Sequence, residues 1–204
     1  MTKFSELIQI LFTKIFHDLS GPVGVINNCL ALCDHKSQWI RSQSREIVLS
    51  EMKNLVMEMR LYKFIFGYDY EDFLMDNNHI SKYFLELENN SEADISLEIK
   101  DQIHINAQVI KSLLCLIKLE LEYGKNNPNK KISVFLNREE LLIIVEDNEP
   151  EYIHKLLKFF DGICKDITLN NCYLHYIQLL TNEAGYQLKF ERDNNIRKYI
   201  FNYQ

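Results

Sequence analysis

Along the first thirty or so positions the apolar residues Ile8, Phe12, Ile15, Leu19, Val23, Ile26, Leu30 and Cys33 recur at steps of 4, 3, 4, 4, 3, 4 and 3. That spacing is one face of a single helix, about 45 Å long for about 30 residues. The doubled step of four lies between Leu19 and Val23, over Gly21-Pro22. Such an insertion locally unwinds a heptad seam. A proline also lacks the N–H that should bond the carbonyl four residues back. The apolar pattern nevertheless runs on, so the spacing predicts a continuous helix with a local distortion beside His17. Asp34-His35-Lys36-Ser37 is a polar connection, with Ser37 placed to cap a second helix. That helix carries Val48, Met52, Leu55, Met59, Tyr62 and Phe66 at steps of 4, 3, 4, 3 and 4, and stops at Gly67.

Two long helices joined by a tight turn form an antiparallel hairpin. Leu32, Ile40, Ile47, Val56 and Phe64 lie off the main seams, so one hairpin cannot cover its own apolar surface. The expected remedy is a second copy of the chain, a homodimer in which two hairpins complete a four-helix bundle.

After Gly67 the grammar changes. Tyr68 to Asp72 is a polar, aromatic transition, and residues 78–87 read as a short helix. Residues 94–99 alternate like a strand, and 107–123 are helix-patterned. The β-branched runs 131–136 and 141–145 flank Asn137-Arg138-Glu139-Glu140, a hairpin signature. Helices follow over 152–160 and 173–184, the second ending at Gly185, and strands over 186–191 and 197–202 turn at Asp193-Asn194-Asn195. The expected fold class is α+β. Residues 1–68 form the helical-hairpin domain, and 69–204 an α/β sandwich with a mixed or antiparallel sheet and helices over one face.

Composition narrows the function. The net charge of -6 over 204 residues argues against a sequence-independent nucleic-acid binder, which needs a basic face for phosphates. Five cysteines without a CxxC pair read as reduced thiols of a cytoplasmic protein. Cys29 and Cys33 lie four residues apart with His35 nearby, but a fourth ligand is missing and buried thiols are the expectation. The N-terminal stretch carries charges throughout, and so reads neither as a signal peptide nor as a membrane span.

At about 100° per residue, His17 points some 200° away from Leu19 and so away from the seam. Its neighbours one turn away are Thr13, Lys14, Ser20 and Gly21, with Gly24 a turn further. The positions C-terminal to it are small, which leaves the imidazole approachable by a bulky partner. Adjacent Asp18 can orient one ring nitrogen and leave the other as nucleophile. The same pattern also fits an ordinary exposed histidine on a polar helix face. Lys14 is placed either to stabilise a phosphorylated imidazole and touch an acidic partner, or simply to be solvated.

His17-Asp18-Leu19-Ser20-Gly21-Pro22 resembles the H-box of sensor histidine kinases, a phospho-accepting histidine followed by an acidic residue and, five positions on, a proline. The longer stretch from His17 to Leu32, with its Pro-Val-Gly and Ile-Asn-Asn segments, is similar to bacterial histidine phosphotransferases of the ChpT type. The aromatic end of the second helix (61–67), residues 111–117, and the segment from Asn171 through Tyr176 and Leu180 to Gly185-Tyr186 also resemble that family. The resemblance implies a dimeric phosphotransfer hairpin followed by a degenerate kinase ATP-binding domain. It implies that His17 accepts a phosphoryl group from the receiver aspartate of a CckA-like hybrid histidine kinase. His17 then passes the group to response regulators of the CtrA and CpdR types. Mg²⁺ comes with the receiver domain. Kinases of this class often carry Thr or Asn four residues after the histidine to position water for dephosphorylation. Here that residue is Gly21, which puts phosphatase activity in doubt.

A working kinase of this class also needs an asparagine-bearing helix for Mg²⁺, an Asp-x-Gly-x-Gly loop and a glycine-rich lid. The helix 107–123 contains no asparagine, and Asp147 is followed by Asn148, Glu149, Pro150 and Glu151 where glycines should stand. The expectation is therefore no ATP binding, no cofactor and no resident metal. Asp147 reads as a remnant of a nucleotide site. A non-catalytic dimeric adaptor that binds a response regulator and a divergent histidine kinase are the alternatives.

Overall fold

The computed structural model describes residues 3–67, 74–88, 91, 93–123, 127, 129–137, 140–147 and 150–204. It is α+β. Tyr68 to Asp72 and the pair Asn148-Glu149, both read from the sequence above, lie outside the described residues. The chain divides into two compact units, Met1–Phe64 and Ile65–Gln204.

The first unit is an antiparallel helical hairpin of α1 (Lys3–Leu30) and α2 (Gln38–Phe66), whose last two residues belong to the second unit. Pro22 lies inside α1, and the helix runs past it. The carbonyl it leaves without a helical donor is that of Asp18, four residues back. The turn is tied by Arg41, whose guanidinium donates to the His35 carbonyl at 2.9 Å. α2 starts immediately after Ser37, whose carbonyl accepts from the Arg41 N–H.

The inner seam differs from the one expected from spacing. On α1 it is Leu7 and Leu11 that are buried, while Phe12, Val23 and Leu30 are each more than half exposed. On α2 Ser44, Val48 and Tyr62 are buried, whereas Met52 and Met59 stand out in solvent. The apolar stripe read as the hairpin seam is thus partly a second, uncovered stripe. It comprises Phe12, Phe16, Val23 and Leu30 on α1 with Leu49, Met52, Val56 and Met59 on α2. Helices of a four-helix bundle carry apolar residues at two adjacent seams of the same period, so spacing alone could not separate them.

In the second unit the division falls within α2, ahead of the 68/69 boundary read from the sequence. The reason is packing. Ile65 is fully buried, Phe66 packs on the rings of Tyr173 and Tyr176, and the Tyr176 hydroxyl donates to the Ile65 carbonyl at 2.9 Å. A two-stranded ribbon, β1 (Leu74–Met75) against β3 (Ile105–Asn106), was not legible, being only two residues a side. The main sheet contains β2 (Asp94–Ile99), β4 (Lys131–Leu136), β5 (Leu141–Glu146), β6 (Tyr186–Asp193) and β7 (Ile196–Tyr203) in the order β2-β4-β5-β7-β6. Among the described residues only β2 and β4 of this sheet pair in parallel, so it is mixed.

Alternation fixes its faces. Ile132, Val134 and Leu136, then Leu141, Ile143 and Val145, then Tyr199 and Phe201 are buried on one side. Helices α3 (Asn77–Glu88), α4 (Ala107–Tyr123), α5 (Pro150–Phe160) and α6 (Cys172–Glu183) complete the unit. α5 reaches the buried face through Phe160, which stacks on Phe190 and packs against Tyr199. α4 is buried nearly all round, which marks the central helix of the layer. Gly185, with φ +77°, ends α6 in the left-handed conformation expected of a helix stop.

Gly24 lies in the exposed interior of α1, and a Cβ added there would meet nothing within 4 Å. Gly24→Ala should therefore stabilise the helix by about 0.5–1 kcal/mol, read as a higher urea midpoint. A lower midpoint would mean that something closes on this face in the assembled protein.

Candidate functional site

His17 and Asp18 are neighbours on α1, so their side chains leave the helix about 100° apart. The offset puts the two in different environments. The His17 side chain is 82% exposed, while that of Asp18 is 12% exposed and turned into the hairpin. There Asp18 Oδ1 accepts from the Lys14 ammonium at 2.8 Å, and Oδ2 accepts from the Tyr62 hydroxyl of α2 at 2.9 Å. His17 Nδ1 lies 3.4 Å from the same Oδ1. Burial pushes the Asp18 carboxyl up, but the Lys14 ammonium, the Tyr62 hydroxyl and His17 outweigh it, and the group is held below the usual carboxylate range. Asp18 is therefore an anion at neutral pH. An anion beside Nδ1 favours the proton on that nitrogen and leaves the lone pair on Nε2.

The other residues expected around His17 share its exposed face, with one change of role. Thr13, Ser20, Gly21 and Gly24 are all exposed. Both hydroxyls bend back onto their own helix, Thr13 Oγ1 donating to the Gln9 carbonyl at 2.9 Å and Ser20 Oγ to the Phe16 carbonyl at 2.6 Å. They offer a low surface and not a set of outward donors. Lys14 does not project toward solvent beside His17; its ammonium is bound to Asp18. Tyr62 was legible only as a seam position. Its hydroxyl's partner lies 44 residues away in sequence, and no local signal joins them.

In the second unit Asp147, at the end of β5, is almost wholly buried and engaged on both oxygens. The Arg197 guanidinium of β7 meets it at 3.2 and 3.1 Å, and the Lys130 ammonium lies 2.8 Å away. The same two cations meet Glu120 of α4, at 2.7 Å from Arg197 and 3.0 Å from Lys130, and the Tyr199 hydroxyl donates to Glu120 as well. Two anions and two cations thus close on one another in the layer between sheet and helix. Burial pushes the Asp147 carboxyl up, and the hydrogen bonds and charges of Arg197 and Lys130 bring it net below the usual range. Glu120 and the hydrogen-bonded Asp147 hold the Arg197 guanidinium charged against its own burial. Asp147 is therefore engaged on both carboxylate oxygens from within the protein.

No protein-family model matches the sequence, and no curated protein sequence matches it. Solved structures do. The structure of a bacterial phosphotransferase matches with a TM-score of 0.80 and 18% identity, over 96% of this chain and 95% of that one. The histidine kinase AdeS of Acinetobacter baumannii gives a TM-score of 0.44 at 12% identity, over 92% and 97% of the two chains. The kinase domain of a blue-light activated histidine kinase from Erythrobacter litoralis gives 0.42 at 11% identity, over 90% and 94%. The first likeness is one of fold, a helical hairpin followed by an α/β unit.

Among the described residues no group of three or more His, Cys, Asp or Glu could hold a metal ion, and no helix is long and apolar enough to cross a membrane. Cys29 and Cys33 are half-buried thiols, the Cys33 Sγ pointing at the Cys29 carbonyl.

Removing one partner from a buried ionic cluster leaves an uncompensated charge and costs about 3–5 kcal/mol. Arg197→Met should lower the stability of the second unit by that amount, seen as a lower denaturant midpoint. A change under about 1 kcal/mol would mean the cluster is open to water. The pH dependence has a definite sign. Asp18 and Asp147 both have folded-state values below their unfolded ones, so their contribution is complete above the unfolded value of about 3.9 and lost as pH falls through the folded value. A urea midpoint followed from pH 7 downward should hold until about pH 4 before falling on their account.

Proposed function

We propose that the protein is a histidine phosphotransferase of a two-component phosphorelay, and that His17 is its phosphoryl acceptor. The observation that carries this reading is the division of labour between neighbours: an exposed imidazole whose Nδ1 is backed by a carboxylate fixed inside the hairpin. The resemblance of the H-box to ChpT-type phosphotransferases and the shared fold with a bacterial phosphotransferase support it.

Phosphoryl transfer makes few demands on the protein beyond positioning and charge stabilisation. The Nε2 lone pair attacks the phosphorus of a receiver's aspartyl phosphate. An N–P bond forms as the P–O bond breaks, and the receiver regains its carboxylate. His17 keeps its Nδ1 proton, so the product imidazole carries positive charge, which the adjacent Asp18 offsets. The second transfer, to the aspartate of a response regulator, reverses these steps. Mg²⁺ held by the receiver supplies charge neutralisation on the phosphoryl oxygens. The low surface made by Ser20, Gly21 and Gly24 gives the receiver room to approach, and Gly21 presents no side chain to hold a hydrolytic water.

A second copy of the chain would cover the stripe of Phe12, Phe16, Val23 and Leu30 with Leu49, Met52, Val56 and Met59. The working form in this reading is a homodimer joined as a four-helix bundle. In this reading the second unit does not bind ATP: its Asp147, the position that corresponds to the kinase nucleotide loop, is engaged on both oxygens by Arg197 and Lys130. The receivers are those of a CckA-like hybrid kinase and of CtrA-like and CpdR-like regulators.

Incubation with a phosphorylated receiver domain should place acid-labile label on the wild-type protein and none on His17→Ala. ATP and Mg²⁺ alone should place none on either. Partner binding retained by the wild type without any label would favour the adaptor, and self-labelling from ATP would favour a kinase.

A further inference from the structure

The Asp18 carboxylate is not held by its own helix alone. Its second oxygen is fixed by Tyr62, reaching across the hairpin from α2. Tyr62 is buried, and a buried phenol hydroxyl usually finds a hydrogen-bond partner, here Asp18 Oδ2. With Oδ2 bound by Tyr62 and Oδ1 by Lys14, the carboxylate plane is fixed at two points. The oxygen turned toward His17 is then the one already shared with Lys14. Were Oδ2 released, the carboxylate could turn about its own bond and the Nδ1 contact, long at 3.4 Å, would have nothing to define it. Contacts of this kind tighten only in the reacting complex, so what the free protein must supply is their direction.

We propose that Tyr62 is a positioning residue for phosphoryl transfer: its hydroxyl locks Asp18 in the orientation that holds the Nδ1 proton of His17 and presents Nε2. Tyr62 touches neither the imidazole nor the phosphoryl group, and acts through Asp18. The transfer role rests on the phosphotransferase reading, while the effect on the imidazole is a property of the hairpin itself. An imidazole free in water prefers its proton on Nε2, so an excess of the Nδ1–H form reports the grip of Asp18.

The test is ¹⁵N NMR of His17 in the full-length protein, at a pH where the ring is neutral. Wild type should show mainly Nδ1–H. Tyr62→Phe, which removes one oxygen and keeps the ring in the seam, should shift the population toward Nε2–H, and Asp18→Asn should do the same. The Tyr62→Phe protein should also accept phosphoryl about 3- to 10-fold more slowly from a phosphorylated receiver and reach the same final extent of labelling. An unchanged tautomer in Tyr62→Phe overturns the proposal. So does an unchanged rate of labelling in Tyr62→Phe when the wild-type protein labels. If Tyr62→Phe proves unstable, Lys14→Met provides the second reading. It leaves Oδ2 on Tyr62 and frees Oδ1 for His17, so Nδ1–H should be retained, and its loss would overturn the proposal. If the tautomer shifts but wild type takes no label, the positioning by Tyr62 stands and the phosphotransferase reading fails.

Discussion

Adjacent residues on an α-helix point about 100° apart, and the N-terminal hairpin turns that offset into a division of labour. One helix places Asp18 on the side that packs against α2 and His17 on the side that faces out. A charged carboxylate in that position is costly unless it is paired. Lys14 and Tyr62 supply the pairing, so Asp18 stays ionised where a bare carboxyl would tend to take up a proton. Everything proposed for the site follows from keeping this anion charged and fixed beside an exposed imidazole.

The second unit uses the same physics for the opposite end. Glu120 and Arg197 belong to α4 and β7, Lys130 directly precedes β4 and Asp147 directly follows β5, and none is open to solvent beyond a few percent. A buried ionic cluster of this kind contributes little net stability over an apolar replacement, yet losing one member is costly because it leaves an uncompensated charge. Here Arg197 and Lys130 engage both oxygens of Asp147 from inside. Asp147, read from the sequence as a remnant of a nucleotide site, thereby joins β5 to the cations that also hold Glu120 of α4.

Much of the architecture was legible because the elements are long or strongly periodic. The spans of α1, α2, α4 and the strands of the main sheet follow the apolar periods, and Gly185 marked the end of α6 as a positive-φ stop. The inner seam was not legible. Both stripes of a bundle helix repeat with one period, and the true inner stripe includes polar Lys14, Asp18 and Ser44, which pattern reading assigns to the outside. The two-residue ribbon of β1 and β3 is too short to carry a period. His17 and Asp18 could be found because they are adjacent. Tyr62 could not, nor could the Arg197–Glu120 pair, whose members are 77 residues apart, since such pairings exist only once the chain is folded.

A phosphoryl acceptor at His17 requires a bond between Nε2 and phosphorus. It is tested most directly by phosphorus NMR of the protein after exposure to a phosphorylated receiver domain, combined with nitrogen labelling of the imidazole. A phosphoramidate resonance coupled to Nε2 of His17 should appear as the receiver's acyl phosphate resonance disappears. Phosphorus found on another residue, or an acyl phosphate that decays to inorganic phosphate with His17 unmodified, would contradict it.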